Sequence, residues 1–391
     1  MRLLFICGAL AAGEFAASFC PQAADAWPLA AIGAALFGLF GHGWASRWLC
    51  GAAVLLFGVA IYLLASQAQE REYRMSPWMR GRERRSAHRQ EERAGLAKAA
   101  RDDFSRRVGI GLEGDRETAS LARAILLGER RTLPYRTKRL FIESGTMHVF
   151  AISGLHVMAI AELLTLGLAL LFVPVRFAGL ASAPLLWGYV AMIGFAPSAV
   201  RAGMMATIMG VAPVFWRRAS GLRAWELTFL AVHVASPPMI TNVGNVLSFA
   251  VMLAIVLAGD YARSLARWRQ TLLVTVAAWA AGVPISAHVF GRVTPGGMVG
   301  NLVLIATAKA TVVSGALGAM ASCVSETLAA HVNNLGALGI KSMVLVAEGV
   351  SRLPGANFET GQWPILVCVG WYAALALAGL LLRMVSGRRT I

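Results

Sequence analysis

The sequence predicts an all-α polytopic integral membrane protein, and two observations carry that prediction. Of its 391 residues, 57% are apolar and 14% charged, and the mean hydropathy is +0.63, too apolar for a soluble globule of ordinary composition. The apolar residues also gather into windows long enough, or nearly so, to cross a hydrocarbon core about 30 Å thick, which takes roughly 20 helical residues.

In chain order the windows are 3–20, 27–43, 48–66, 149–173, 178–195, 199–215, 240–258, 271–290, 297–320 and 362–382, with 225–237 and 327–350 weaker. The expectation is about eight to eleven transmembrane helices, some broken or re-entrant. The first window, followed by "PQAADAW", imitates a signal peptide with a small-residue cleavage site. Its charged start is Arg2 alone, Glu14 interrupts the apolar core and two more windows follow at once, so it reads as a retained span.

Cys7, Cys20, Cys50, Cys323 and Cys368 sit in or beside windows, form no CxxC or Cys/His cluster and are odd in number. That supports neither a disulfide framework nor a zinc site, and reads as small packing residues. No metal and no cofactor is expected.

The net charge of +16 is unusual beside so much apolar surface. Residues 67–108 hold twelve Lys/Arg against seven Asp/Glu. Such a segment is either a solvated helix that signals topology or a collector for polyanions, nucleic acid or lipid headgroups. Composition thus divides the chain into a three-span unit at 1–66, a basic polar insert at 67–108, an amphipathic lead-in at 109–147 and a transmembrane body at 148–391 that ends in the basic tail "RMVSGRR".

The chemistry gathers in "MHVFAISGLHVMAI", residues 147–160, where His148, Ser153 and His156 interrupt an apolar run. Ionisable groups are costly in hydrocarbon and face a cavity or a partner helix. On a continuous helix His156 would stand about 80° from His148, and Ser153 about 140° from it, so the three share no narrow stripe. The Ser153–Gly154 pair offers a kink or an unwound segment whose backbone lines a pathway. The alternative is tight packing through small residues, with the histidines bonded to neighbours.

The stretch "LLGERRTLPYRTKRLFIESGTMHVFAISGLHV" (126–157) resembles the signature of the ComEC family, inner-membrane DNA permeases of natural transformation, in which G-T-x-H and I-S-G-L-H-V occur together. Downstream, "GFAPSAVRAGMMA" (194–206), "VLSFAVMLAIV" (246–256) and "PISAHVFGRVTPGGMVGNLVLIA" (284–306) are similar to that family's P-S-x-x-R-A, L-S-F and P…F…N-L-x-x-I segments, in family order. The start, a span, a proline-containing turn and two more spans, is similar as well. Two departures stand out. The insert at 67–108 is too short for the complete OB-like barrel that the family usually carries there, and no H-x-H-x-D-H cluster of the family's metallo-β-lactamase-like domain occurs in the sequence.

The resemblance implies a channel core for single-stranded DNA in the inner, cytoplasmic membrane, with no covalent chemistry of its own. The partners it implies are single-stranded DNA, membrane lipids and other DNA-uptake proteins, including a separate nuclease and a cytoplasmic motor; self-association into an oligomer stays open. It also places the loop after the third span outside, whereas the positive-inside rule would hold the basic 67–108 segment in the cytoplasm. Two further basic loops, at Arg217, Arg218 and Arg223 and at Arg263, Arg267 and Arg269, share a side only if an even number of spans separates them.

A strand of DNA needs a wet, modestly positive path that does not hold it. Pro197, inside the apolar stretch 184–216, is expected to break it into two half-helices and to leave Arg201 near the break as a phosphate contact. If the break lies at the surface, Arg201 is instead an interfacial residue that snorkels to headgroups. Lys309 is a second apolar-flanked cation, with Asn301 as a polar partner eight residues earlier, or else with a salt bridge to Glu162, Glu326 or Glu348. Trp27, Trp44, Trp48, Trp187, Trp216, Trp225, Trp268, Trp363, Trp371 and Tyr372, near span ends, read mostly as interfacial anchors.

The path residues expected from these readings are His148, Ser153, Gly154, His156, Pro197, Arg201, Asn301 and Lys309. Two rival classes remain. A transporter of a small solute or ion uses broken helices with polar residues, though no inverted repeat is visible. An intramembrane serine hydrolase needs the Ser and His that "ISGLH" offers, but G-x-S-x-G is absent.

Overall fold

The structure, a computed structural model, describes residues 95–129, 133–150, 152–236, 239 and 242–387. The windows at 3–20, 27–43 and 48–66, and residues 67–94 of the basic insert, lie outside the described residues.

The described chain is all-α apart from one two-residue ladder. It is helical at 95–108 (α1), then at Arg116–Leu127 (α2) and Tyr135–Glu143 (α3), followed by a 3-10 turn at Met147–Phe150. Next come Gly154–Leu170 (α4), Val175–Met192 (α5), Pro197–Val211 (α6), Gly221–Ala235 (α7), Val243–Tyr261 (α8), Arg267–Phe290 (α9), Pro295–Ala321 (α10), Glu326–Ser351 (α11) and Ile365–Gly387 (α12). Strands β1 (Arg292–Val293) and β2 (Phe358–Glu359) pair antiparallel, with Arg292 opposite Glu359.

Among the described residues, α5, α9, α10 and the helices α6 and α8 with the 3-10 turns that end them are long and apolar enough to cross a membrane; α4 and Ile365–Leu375 of α12 are shorter apolar helices. Each falls on a predicted window, and the weaker windows are helical too, as α7 and α11. The fold is that of a polytopic helical membrane protein. Two helices, α7 and α8, separate the two basic loops along the chain, and of these α8 with its 3-10 turn is long and apolar enough to cross a membrane.

Local chemistry sets the boundaries. Asp115 caps α2 by accepting the Thr118 N–H at 3.0 Å and its hydroxyl at 2.8 Å. Those bonds, together with Lys341 at 3.2 Å, hold its carboxyl below the usual aspartate range. Gly128, left-handed at φ 71, ends the helix. Ser325 accepts the Leu328 N–H at the start of α11.

Pro197 acts differently from the expectation. The stretch 184–216 does break, but into the two spans α5 and α6 rather than two half-helices. Gly194 and Phe195, at φ 76 and 52, turn the chain after Met192, and Pro197 is the first residue of α6. A proline there loses no helical hydrogen bond, because the first-turn N–H groups have no intrahelical partner.

The chain forms two units, each described by itself. In the first, whose described residues are 95–103 and Leu164–Phe249, α6 packs against both α5 and α7. The α5–α6 contact is backbone on backbone: a Cβ on Gly179 would stand 2.6 Å from the Gly210 Cα. Trp187 Nε1 donates to Thr207 Oγ1 at 3.1 Å along the same pair.

In the second unit, Phe104–Leu163 with Ala250 onward, α10 and α11 pack lengthwise and α2 lies against both. Leu121, Ile125, Leu126, Leu127, Leu304, Ile340 and Met343 are among its fully buried side chains there. Asn333 Nδ2 donates to the carbonyls of Arg107 and Ile110, tying α11 to the end of α1. Helix α9 packs against α10 and α12. Pro284 inside α9 has no N–H, which leaves the Ala280 carbonyl without its helical partner. Trp371 Nε1 of α12 donates to that carbonyl at 2.9 Å, and the Tyr372 hydroxyl to the Ala281 carbonyl at 2.7 Å.

Candidate functional site

The site is built where the turn after α3 meets the start of α10, in the second unit. Gly145 is left-handed at φ 71, and a Cβ on it would stand 2.6 Å from the Thr294 Cβ. A Cβ on Gly297 would stand 2.8 Å from the Gly145 carbonyl oxygen, and one on Gly300 would stand 3.0 Å from Thr146 Cγ2. Only glycine lets these backbones approach so closely. Ser144 and Thr146 are fully buried, their hydroxyls 2.6 Å apart.

That contact sets His148, on the 3-10 turn, beside α10. Its ring lies against the Gly145 backbone and the Asn301 side chain, and the residue keeps an exposed face. The Oδ1 of Asn301 is buried at that contact.

The apolar run is not one continuous helix. Residues 152 and 153 are non-helical and α4 begins at Gly154. Ser153 stands just before it, and His156, three residues on, accepts the Ser153 N–H on Nδ1 at 3.1 Å. This is the geometry of a capping box with imidazole in the place of the usual Glu. The Ser153 hydroxyl also lies 2.9 Å from Nδ1. With Nδ1 accepting, a neutral ring carries its proton on Nε2, which is buried and has no hydrogen-bond partner among the described residues.

The Ser153–His156 distance satisfies one demand of a serine hydrolase, yet the imidazole lone pair is shared with a backbone N–H, and no carboxylate orients the ring among the hydrogen bonds described. A fluorophosphonate probe is therefore expected to leave Ser153 unlabelled in purified protein. Labelling that His156→Ala abolishes would establish a nucleophile instead.

Further along the same two elements, Glu162 of α4 and Lys309 of α10 form an ion pair at 2.5 Å, with side chains 55% and 44% exposed. Asn301 is not the partner of Lys309: eight residues of helix separate them by about 12 Å. Of the three acidic residues open to Lys309, Glu162 is the one that meets it. Both ionised groups stand near the middle of apolar helices, where an unpartnered charge costs about 2.5–3.5 kcal/mol on insertion scales. Two polar rungs, His148 with Asn301 and Glu162 with Lys309, thus join the segment 148–163 to α10.

Pro197 and Arg201 belong to the first unit. Arg201 is 7% exposed; its Nε donates to Ser248 Oγ at 3.1 Å and its Nη1 to Asn245 Oδ1 at 2.9 Å. Asn245 Nδ2 in turn lies 2.9 Å from the Met239 carbonyl and 3.2 Å from His233 Nε2. His233 Nδ1 is 2.8 Å from the Phe229 carbonyl, so Nδ1 donates and Nε2 accepts. Trp225, Phe229, His233 and Phe249 stack around this network, and the Arg201 guanidinium lies over the Phe249 ring at 5.5 Å.

Asn245, Ser248 and His233 were not singled out in the sequence, although the segment 246–256 contains Ser248 and starts at the residue after Asn245. The tryptophan reading also needs correcting. Trp225, 5% exposed, is a core residue whose Nε1 donates to the Phe249 carbonyl, and Trp371 serves the carbonyl freed by Pro284. Trp216, 83% exposed under the Arg176 guanidinium, does fit an anchor.

A helical polytopic membrane protein with a polar seam across two apolar elements and a buried arginine network is the class these features define. Residues 125–385 match the competence protein family, more than half of the chain, and the chain belongs to that family. A stretch of 139 residues is 31% identical to the uncharacterized protein YcaI of Escherichia coli (strain K12), covering 33% of this chain and 18% of that protein. No solved structure matches.

Proposed function

We propose that the chain forms the membrane-embedded conduit through which single-stranded DNA passes during DNA uptake, seated in the cytoplasmic membrane. The observation that carries this reading is the seam of His148, Asn301, Glu162 and Lys309 across otherwise apolar elements of a competence-family protein. Polar and ionised groups at that depth call for water, and a strand with one phosphate per nucleotide needs a wet path.

In this reading His148, Ser153, Gly154, His156, Asn301 and Lys309 line or shape the path. Pro197 and Arg201 belong to a supporting network, in which Arg201 offers its remaining guanidinium edge to a phosphate. The chain moves DNA without cleaving it, and a nuclease and a cytoplasmic motor act from other proteins.

Deletion of the gene in its native host is expected to abolish transformation by added DNA, and the wild-type gene supplied elsewhere to restore it. Unchanged transformation in the deletion strain, with substrate-dependent currents through reconstituted protein in the absence of DNA, would move the chain to solute transport.

A further inference from the structure

We infer that Glu162 is a counter-charge of the conduit: it holds Lys309 while the path is empty and yields it to each phosphate that passes, which keeps a cation in the path from capturing the strand. The inference rests on the proposed DNA path and assigns Glu162 a part in it.

The first support is the placement of the pair. Glu162 and Lys309 stand near the middle of α4 and α10, where lipid on their open side would be strongly unfavourable for both ions. Yet the side chains are 55% and 44% exposed. A half-open ion pair at that depth therefore faces water. The second support is direction. The His148–Asn301 rung lies about two helical turns from Lys309 along α10 and about 80° around it, and His148 is its exposed member, so polar groups recur along the length of the helix.

The third support is chemical. A bare lysine in a low-dielectric wall attracts a phosphate strongly and releases it slowly. A carboxylate already in contact lowers the net gain, because each arriving phosphate must displace it and each departing one is replaced by it. Entry stays favourable and exit stays fast, the balance that conduction requires. Lysine suits this exchange, since its ammonium is a compact charge on a flexible stem that can swing between two anions.

The test uses full-length protein with its native cysteines replaced, in spheroplasts of the host. Lys309→Cys is expected to react with a membrane-impermeant thiol reagent about tenfold or more faster than Val303→Cys, because the thiolate that reacts forms only where water reaches it. Val303 is an exposed apolar position on the same helix, about 120° around it. DNA held in transit should protect the cysteine. If Lys309→Cys protein fails to accumulate, Glu162→Cys takes its place. Glu162→Gln should lower the rate of DNA passage about tenfold, and Glu162→Gln combined with Lys309→Gln should recover most of it.

Equally slow labelling at positions 309 and 303, with uptake normal, would overturn the inference and leave the proposed function standing. Fast labelling without protection by DNA, in a host whose transformation survives deletion of the gene, would overturn the DNA path itself while leaving the face wet.

Discussion

Arg201→Gln is expected to cut DNA uptake by one to two orders of magnitude, with Arg201→Lys falling between it and the wild type. The guanidinium is buried and donates to both Ser248 and Asn245. A glutamine at that position reaches at most one of them, and each lost hydrogen bond from a charged donor costs about 1.5–3 kcal/mol. Lysine keeps the charge but not the planar fork that meets two acceptors at once. Thermal unfolding of the purified protein separates the two contributions: a structural loss shows in both stability and uptake, whereas a phosphate contact shows as a loss of uptake beyond the loss of stability. Leu168→Ile, on α4, should change neither. Normal accumulation and normal uptake in Arg201→Gln would make Arg201 a packing group.

The second large effect concerns the α5–α6 contact. Gly179→Leu should leave almost no folded protein, because its first side-chain carbon would meet the Gly210 Cα at 2.6 Å and a backbone cannot step aside as a side chain can. Overpacking a well-packed site costs about 1–3 kcal/mol when side chains absorb it, and here none is available to do so. Helices in a bilayer associate through such close approach, so separating α5 from α6 removes the reason they pair. Gly188→Ala, on the same helix with nothing within 4 Å of its added carbon, should accumulate normally. Yields read by quantitative blotting of membranes decide the matter; equal yields of Gly179→Leu and Gly188→Ala would mean that the two helices are held elsewhere.

The spans were legible in the sequence because a bilayer sets a length and a composition that few other environments demand. The helix start at Gly154 was half legible: the Ser153–Gly154 pair announced a break, but His156 in the role of a capping carboxylate did not stand out. Pro197 was misread because a proline that opens a new helix and one that kinks an old helix look alike in sequence; whether the chain reverses depends on the turn before it. The partner of Lys309 was one of three acidic residues because it lies 147 positions away, and no local pattern joins residues so distant. The Arg201 network was hidden for the same reason, with Asn245 44 positions on.

The carbonyl freed by Pro284 has a consequence in time. Its donor, Trp371, lies 91 residues further along the chain, so at about 5–20 residues per second synthesis takes roughly five to twenty seconds to supply it. Throughout that interval α9 sits in or near the bilayer with a polar group that lipid cannot satisfy, and water, the translocation machinery or a temporary neighbour must serve in the meantime. Helix α12 is therefore a latch that closes on α9 only after α10 and α11 have been made. A nascent chain stalled before Trp371 leaves that carbonyl at Ala280 without its donor.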